Sequence, residues 1–258
     1  MKLFLRRYGQ GFPVIILHGL LGNSDYWIPF ARKLASDFDV IVPDLRNHGH
    51  SPHSRFFTYK TLTEDILELI NDLKLQHCCL IGHSMGGKTA MMLALENPGF
   101  IEKLVVVDIS PKKYPENREL EDLLNAMLEV DFEKTVTRKD VKCQLEKTIH
   151  EPRLSQLILK NVYRRDKTTL DWRLDVHSIH DNLSCISDGI ECKGFFNGPA
   201  LFIRGELSDY IRNDDVPGIT QKFPRATVQT LNNASHWVHA DVPGEFYEQV
   251  RQFLQKDQ

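Results

Sequence analysis

The run Gly82-His83-Ser84-Met85-Gly86 constrains this chain more than any other, because of what stands on either side of it. Before it, Cys78 to Ile81 are of buried-strand type, and after it Lys88 to Glu96 favour a helix. A serine held between strand and helix, with glycines two residues before and after, fits a sharp elbow. The serine takes a strained backbone conformation there, and the missing Cβ atoms let neighbouring backbone pass. Its hydroxyl then stands at the carboxyl edge of a sheet, beside a helix N-terminus whose partial positive charge favours a developing oxyanion. The five-residue pattern alone recurs by chance as a glycine-rich strand-to-helix turn in other parallel-sheet proteins, so its flanks carry the reading. Lys88, four residues after Ser84, does not form a serine–lysine pair, since the motif that carries such pairs spaces them by three.

An elbow of this kind needs a parallel sheet, and the rest of the chain supplies one. Short runs rich in Val, Ile and Leu alternate with helical patterns, which favours parallel strands with helices on both faces. The strands are expected at Val14 to Leu17, Phe38 to Val42, Cys78 to Ile81, Leu104 to Val107, Ala200 to Ile203 and Ala226 to Leu231, with Lys2 to Arg7 as an antiparallel edge. Thr61 to Lys74 is expected as a helix with Thr61 and Glu64 as a capping box, and Phe246 to Leu254 as a closing amphipathic helix. From about Pro111 to Gly198 the rhythm breaks. Leu120 to Leu128, Val141 to Ile149 and Leu154 to Ile158 read as successive helices with no convincing buried strand. This predicts a core over 1–110 and 199–258 carrying a helical cap over 111–198; helices this short need an outside surface to bury against, which argues against a second independent domain.

Composition narrows the function. Lys plus Arg number 32 against 35 Asp plus Glu, so no basic excess exists to neutralise nucleic-acid phosphates or anionic lipid. The five cysteines are odd in number and lack metal-site spacing, which points to a reducing compartment. With no signal-peptide pattern and no apolar run long enough to span a bilayer, a cytoplasmic protein is expected. Nothing implies a metal or an organic cofactor.

Acyl transfer from a serine needs an oxyanion hole, a base and an acid. His18-Gly19-Leu20-Leu21-Gly22 follows the strand Val14 to Leu17, where a backbone donor is required, so the Leu20 and Met85 N–H groups are assigned to the hole, with His18 bracing the loop. Among eleven histidines, His236 stands after the last strand and before the closing helix, which gives the chain order serine, acid, histidine; His239 is its nearest competitor, and His48 and His50 precede the serine. Two carboxylates end strands. Asp108 directly follows four buried-type residues and is costly there unless paired, whereas Asp209 lies in a polar loop after Ala200 to Ile203. Either can orient an imidazole.

These motifs resemble the α/β-hydrolase esterases of the YbfF type, over nearly the whole length. The likeness rests on His18 to Gly22, on Asp44-Leu45-Arg46-Asn47-His48-Gly49-His50-Ser51, on Gly82 to Lys88, on Val107-Asp108-Ile109-Ser110-Pro111 and on His236-Trp237-Val238-His239. The resemblance implies an α/β-hydrolase fold, hydrolysis of small acyl esters or acyl-CoA thioesters, and Asp108 as the acid beside Ser84 and His236. The family's loop after the next strand commonly reads Asn-Ser-x-Tyr, where this chain has Leu207-Ser208-Asp209-Tyr210, a departure that keeps Asp209 in play.

Ser84 is then expected to attack the acyl carbonyl while His236 takes its proton, and water to release the acyl-enzyme. A serine rather than an aspartate nucleophile argues against haloalkane dehalogenase or epoxide hydrolase chemistry. The same frame also supports carbon–carbon bond hydrolysis, lyase chemistry, or use as a ligand receptor. Tyr114, Leu123, Met127, Phe132 and Trp172 are candidates for an acyl pocket, and Lys112, Lys113 and Arg118 for an acidic head group, with core packing and a solvated charged face as the competing explanations.

Overall fold

The computed structural model describes residues 1–115, 117–135, 137–149 and 152–256, with the backbone alone at 152 and 153. A seven-stranded sheet runs β1-β3-β2-β4-β5-β8-β9 across its width. Its strands are β1 (Leu5–Tyr8), β2 (Phe12–Leu17), β3 (Phe38–Pro43), β4 (Cys78–His83), β5 (Ile101–Val107), β8 (Ala200–Gly205) and β9 (Ala226–Leu231). All neighbours are parallel except β1, which pairs antiparallel with β3 along one edge. This is the α/β-hydrolase fold the sequence predicts, down to the antiparallel edge strand.

The central strands are apolar on both faces because both are covered. Ile15, Leu17, Leu80 and Val106 face one buried cluster, shared with α2 (Tyr59–Asp72), α3 (Met85–Glu96) and α9 (Val216–Lys222). Val14, Ile16, Ile81 and Val105 face the other, shared with α1 (Ile28–Leu34), the short α10 (Val238–Asp241) and α11 (Pro243–Gln255). Residues two apart in a strand share a face, so each strand feeds both clusters in alternation.

Between β5 and β8 lie α4 (Arg118–Leu128), α5 (Arg138–Leu145), α6 (Pro152–Lys160), α7 (Val176–Asp181) and α8 (Leu183–Ser187). Their buried residues, among them Leu123, Leu124, Val141 and Ile158, join the cluster on the α2–α3 face. Besides the short helices α7 and α8, which lie beyond the three expected in this segment, two differences from expectation arise. The segment contains a small antiparallel hairpin, β6 (Val162–Arg164) with β7 (Leu170–Trp172), too short to show an alternating pattern in sequence. Helix α2 starts two residues before the expected Thr61: its capping box joins Thr58 to Thr61 rather than Thr61 to Glu64, since both threonine side chains reach the opposite backbone N–H. No helix among the described residues is long and apolar enough to cross a membrane.

A buried ion pair fixes the loop after β3. Arg46 Nε lies 2.6 Å from Asp65 Oδ2 and Nη2 lies 2.8 Å from Oδ1, with side chains only 8% and 2% exposed. The Met1 ammonium also reaches Asp65, at 3.0 Å. Asp65→Ala strands the guanidinium without its partner and is expected to cost about 3 to 5 kcal/mol in urea unfolding. A loss below about 1 kcal/mol would show the loop to be held by its other bonds.

Candidate active site

Four strand ends meet at the carboxyl edge, and each contributes one part of the site. β4 ends at the elbow, where Ser84 has φ 52° and ψ −117°, a conformation that a side chain tolerates only under constraint. The constraint is close packing. A Cβ on Gly82 would stand 2.3 Å from the Gly86 carbonyl oxygen, and one on Gly86 would stand 2.3 Å from that of Leu17, so neither glycine can be replaced without moving backbone. The Ser84 N–H donates to Val107 O at 3.0 Å, which stitches the elbow to the end of β5.

β5 ends in a second left-handed residue, Asp108, with φ 50° and no exposure to solvent. Its carboxylate is fully engaged. Oδ1 accepts from the Gly205 N–H at 3.1 Å, Oδ2 accepts from the Ser208 hydroxyl, and Oδ2 lies 2.8 Å from His236 Nδ1. Three donors on one buried carboxylate offset the cost that made it conspicuous in sequence. Asp209, the rival, is 86% exposed and pairs with Arg212 at 3.2 Å. The structure thus brings Asp108 and not Asp209 to His236.

His236 follows β9, and its ring stacks on Tyr210 at 3.9 Å between centroids and 20° between planes. Beside it, His83 Nε2 lies 2.9 Å from the His236 carbonyl oxygen, so His83 must carry its proton on Nε2 to donate there. Burial, reinforced by His236 and His239, holds the His83 pKa well below its ordinary value and keeps the ring neutral. The competitor His239 is instead stacked on Trp27 at 4.3 Å and edge-on to His83 at 4.9 Å, and burial lowers its pKa to about 4.

The loop after β2 brings Leu20 and Leu21 over the elbow; a Cβ on Gly19 would stand 3.4 Å from Ser84 Cβ. Met85 is the first residue of α3, so its N–H has no intrahelical acceptor, and no backbone acceptor among the described residues pairs with the Leu20 N–H. Two buried histidines brace this loop. His18 Nε2 accepts from the Leu45 N–H at 2.9 Å while Nδ1 sits 2.8 Å from Gly19 O. His48 Nε2 accepts from the Leu21 N–H at 3.2 Å while Nδ1 sits 2.8 Å from Arg46 O. Both are therefore neutral rings protonated on Nδ1, and burial pushes the His48 pKa down to about 3. His18 was readable as a brace from its place in the glycine loop. The contacts of His48, Ser208 and Tyr210 leave no local mark in the sequence, because their partners lie far along the chain; the Ser-x-Tyr pattern is the available signal for the last two.

Ser84, His236, Leu20 and Met85 line one cavity of about 790 Å³. Of the residues proposed to form an acyl pocket, Tyr114 and Leu123 line it, whereas Phe132, Trp172 and Met127 pack on each other: Phe132 meets Trp172 at 5.3 Å between centroids, and the indole N–H donates to Met127 O at 3.1 Å. Lys112 and Arg118 line the cavity, with Lys112 paired to Asp215 at 2.6 Å, while Lys113 pairs with Asp188 at 2.7 Å. Lys88 is fully buried, and its ammonium donates to the Asp188 carbonyl between the rings of Tyr59 and Tyr114.

The model of the alpha/beta hydrolase fold family matches residues 13–243. The chain is 39% identical over 253 residues to the sn-1-specific diacylglycerol lipase ABHD11 of Danio rerio, covering 96% of this chain and 80% of that protein. It is 32% identical to esterase YbfF of Escherichia coli, covering 94% and 92% of the two. Among solved structures, a marine microorganism esterase superposes with a TM-score of 0.95 at 38% identity, covering 98% of this chain and 99% of that one. With a family match across most of its length and relatives that are esterases and lipases, the chain belongs to the alpha/beta hydrolase fold family and is a carboxylic ester hydrolase.

Proposed function

We propose that the protein hydrolyses small acyl esters and acyl thioesters, acyl-CoA among them, with Ser84 as nucleophile, His236 as general base and Asp108 as the acid that orients it. The observation that carries the reading is the 2.8 Å contact between Asp108 Oδ2 and His236 Nδ1 at the cavity that Ser84 also lines. A carboxylate can only accept, so Nδ1 holds the proton and Nε2 is left with its lone pair free to take the Ser84 proton. The serine oxygen then attacks the acyl carbonyl, and the carbonyl oxygen becomes an anion that the Leu20 and Met85 N–H groups receive. Collapse expels the alcohol or thiol, protonated by the His236 imidazolium. Water, deprotonated by the same ring, releases the acid and restores Ser84.

Residues 111–198 act in this reading as a cap on the core formed by 1–110 and 199–258; Leu123, Leu154, Leu157 and Ile186 from that segment line the cavity and favour an acyl chain over a polar group. Arg118 on the same lining offers positive charge to a coenzyme A phosphate, whereas Lys112 is already paired to Asp215. All five cysteines are free thiols, which supports a reducing, cytoplasmic setting.

The test is a panel of butanoyl to hexadecanoyl esters beside acyl-CoA thioesters of the same lengths, read together with fluorophosphonate labelling located by mass spectrometry. Turnover of esters and a single adduct on Ser84 are expected. An adduct elsewhere, or a labelled Ser84 with no ester or thioester turned over, would reject the reading.

A further inference from the structure

A second cavity, of about 700 Å³ and open to the surface, adjoins the first, and the two share side chains: Leu157 of α6 and Trp237, next to His236, line both. The wall is not pinned by polar bonds. Among the described residues no hydrogen bond holds the Trp237 indole N–H, and its ring is in contact with His83 and His236 at 5.5 and 5.9 Å between centroids. The Leu157 backbone is anchored, since its carbonyl accepts from the Tyr26 hydroxyl at 2.8 Å, while its side chain belongs to the apolar cluster beneath the cap segment. Displacing such side chains takes a change of rotamer and no broken side-chain hydrogen bond. On the far side of these side chains Tyr26, Phe30 and Tyr247 line the cavity beside Trp237, together with the exposed Asp25, Lys33, Gln156 and Lys160.

We propose that this second cavity is the distal part of the acyl site, and that Leu157 and Trp237 form the partition that sets how readily a long acyl chain enters it. The inference rests on the esterase reading above. A chain that parts the wall exchanges water for aromatic surface, which strengthens binding about fourfold for each methylene buried. A short acyl group, held wholly in the first cavity, gains nothing from the second. The partition therefore acts on chain length rather than on the chemistry at Ser84, because it touches the path of the alkyl tail.

The readout is the ratio of kcat/KM for dodecanoyl and butanoyl esters of one alcohol. Thinning the wall from the α6 side with Leu157→Ala, and separately from the other side with Trp237→Leu, is expected to raise that ratio about 10-fold. Filling the second cavity should undo the gain. Gly244 lines it, and a Cβ there meets nothing within 4 Å, so the Gly244→Trp side chain starts into open space; Ala240→Trp starts from α10 on the same lining. Either substitution, added to Leu157→Ala, is expected to return the ratio towards that of the parent. An unchanged ratio in both thinned variants overturns the proposal, as does a raised ratio that neither filling substitution reverses. If lengthening the alcohol rather than the acyl part shifts the ratio, the cavity holds the leaving group and the assignment is wrong. No butanoyl turnover by the parent would sink the esterase reading and this inference with it, whereas turnover with an unmoved ratio sinks this inference alone.

Discussion

Ser84→Ala is expected to lower kcat/KM for a butanoyl ester by about 10⁴-fold or more while leaving the unfolding midpoint close to that of the parent. The size follows from what the substitution removes. With no oxygen to acylate, covalent catalysis is lost entirely, and only the oxyanion donors and substrate positioning remain to assist direct attack by water. Stability should change little because the elbow is set by backbone packing, through Gly82 against Gly86 and Gly86 against Leu17, and not by the serine hydroxyl. Alanine is still penalised at φ 52°, but no more than the serine it replaces. Pre-steady-state measurement sharpens the test: the parent should show a burst of released alcohol equal to the enzyme present, and the variant none. A variant that keeps more than about a tenth of parental turnover would leave the mechanism without its nucleophile.

Most of the frame was legible because its signals are local. Continuous apolar runs such as Val14 to Leu17 and Leu104 to Val107 are central parallel strands, buried on both faces, and the structure leaves them with no exposure. The elbow was legible for the same reason, since glycine spacing and a strand-helix junction lie within a dozen residues. What the sequence left open depends on partners far apart. Asp108 directly follows a buried strand and Asp209 lies in the polar loop after another, yet by sequence either can orient an imidazole; they differ because Gly205, Ser208 and His236 converge on one and not the other. His48 sits 27 residues from the Leu21 N–H it accepts, and no periodicity links the two. The β6–β7 hairpin was missed because three-residue strands give no alternation to detect.

Asp108→Asn should reduce kcat about 10⁴-fold, while Asp209→Asn should leave it within about twofold of the parent. The asymmetry comes from the His236 tautomer. An asparagine at 108 keeps the shape, but only its carbonyl oxygen can accept, whereas the Gly205 N–H on one side and the Ser208 hydroxyl and His236 Nδ1 on the other all need an acceptor. If the amide nitrogen faces the imidazole, the proton moves to Nε2, and the atom that must accept from Ser84 becomes a donor. If the amide oxygen faces it, the tautomer survives but the imidazolium formed on proton transfer has no negative charge to balance it inside a buried site. Either outcome suppresses turnover, so the loss does not depend on which way the amide settles. The Asp209 carboxylate makes neither contribution, for it is exposed and directed at Arg212. The pH profile separates orientation from general damage: above the range where imidazole titrates, added hydroxide can deprotonate the serine directly, so the Asp108→Asn variant should recover part of its rate as pH rises. A fully active Asp108→Asn beside an inert Asp209→Asn would move the acid to the loop after β8 and require that loop to reach His236 in the working enzyme.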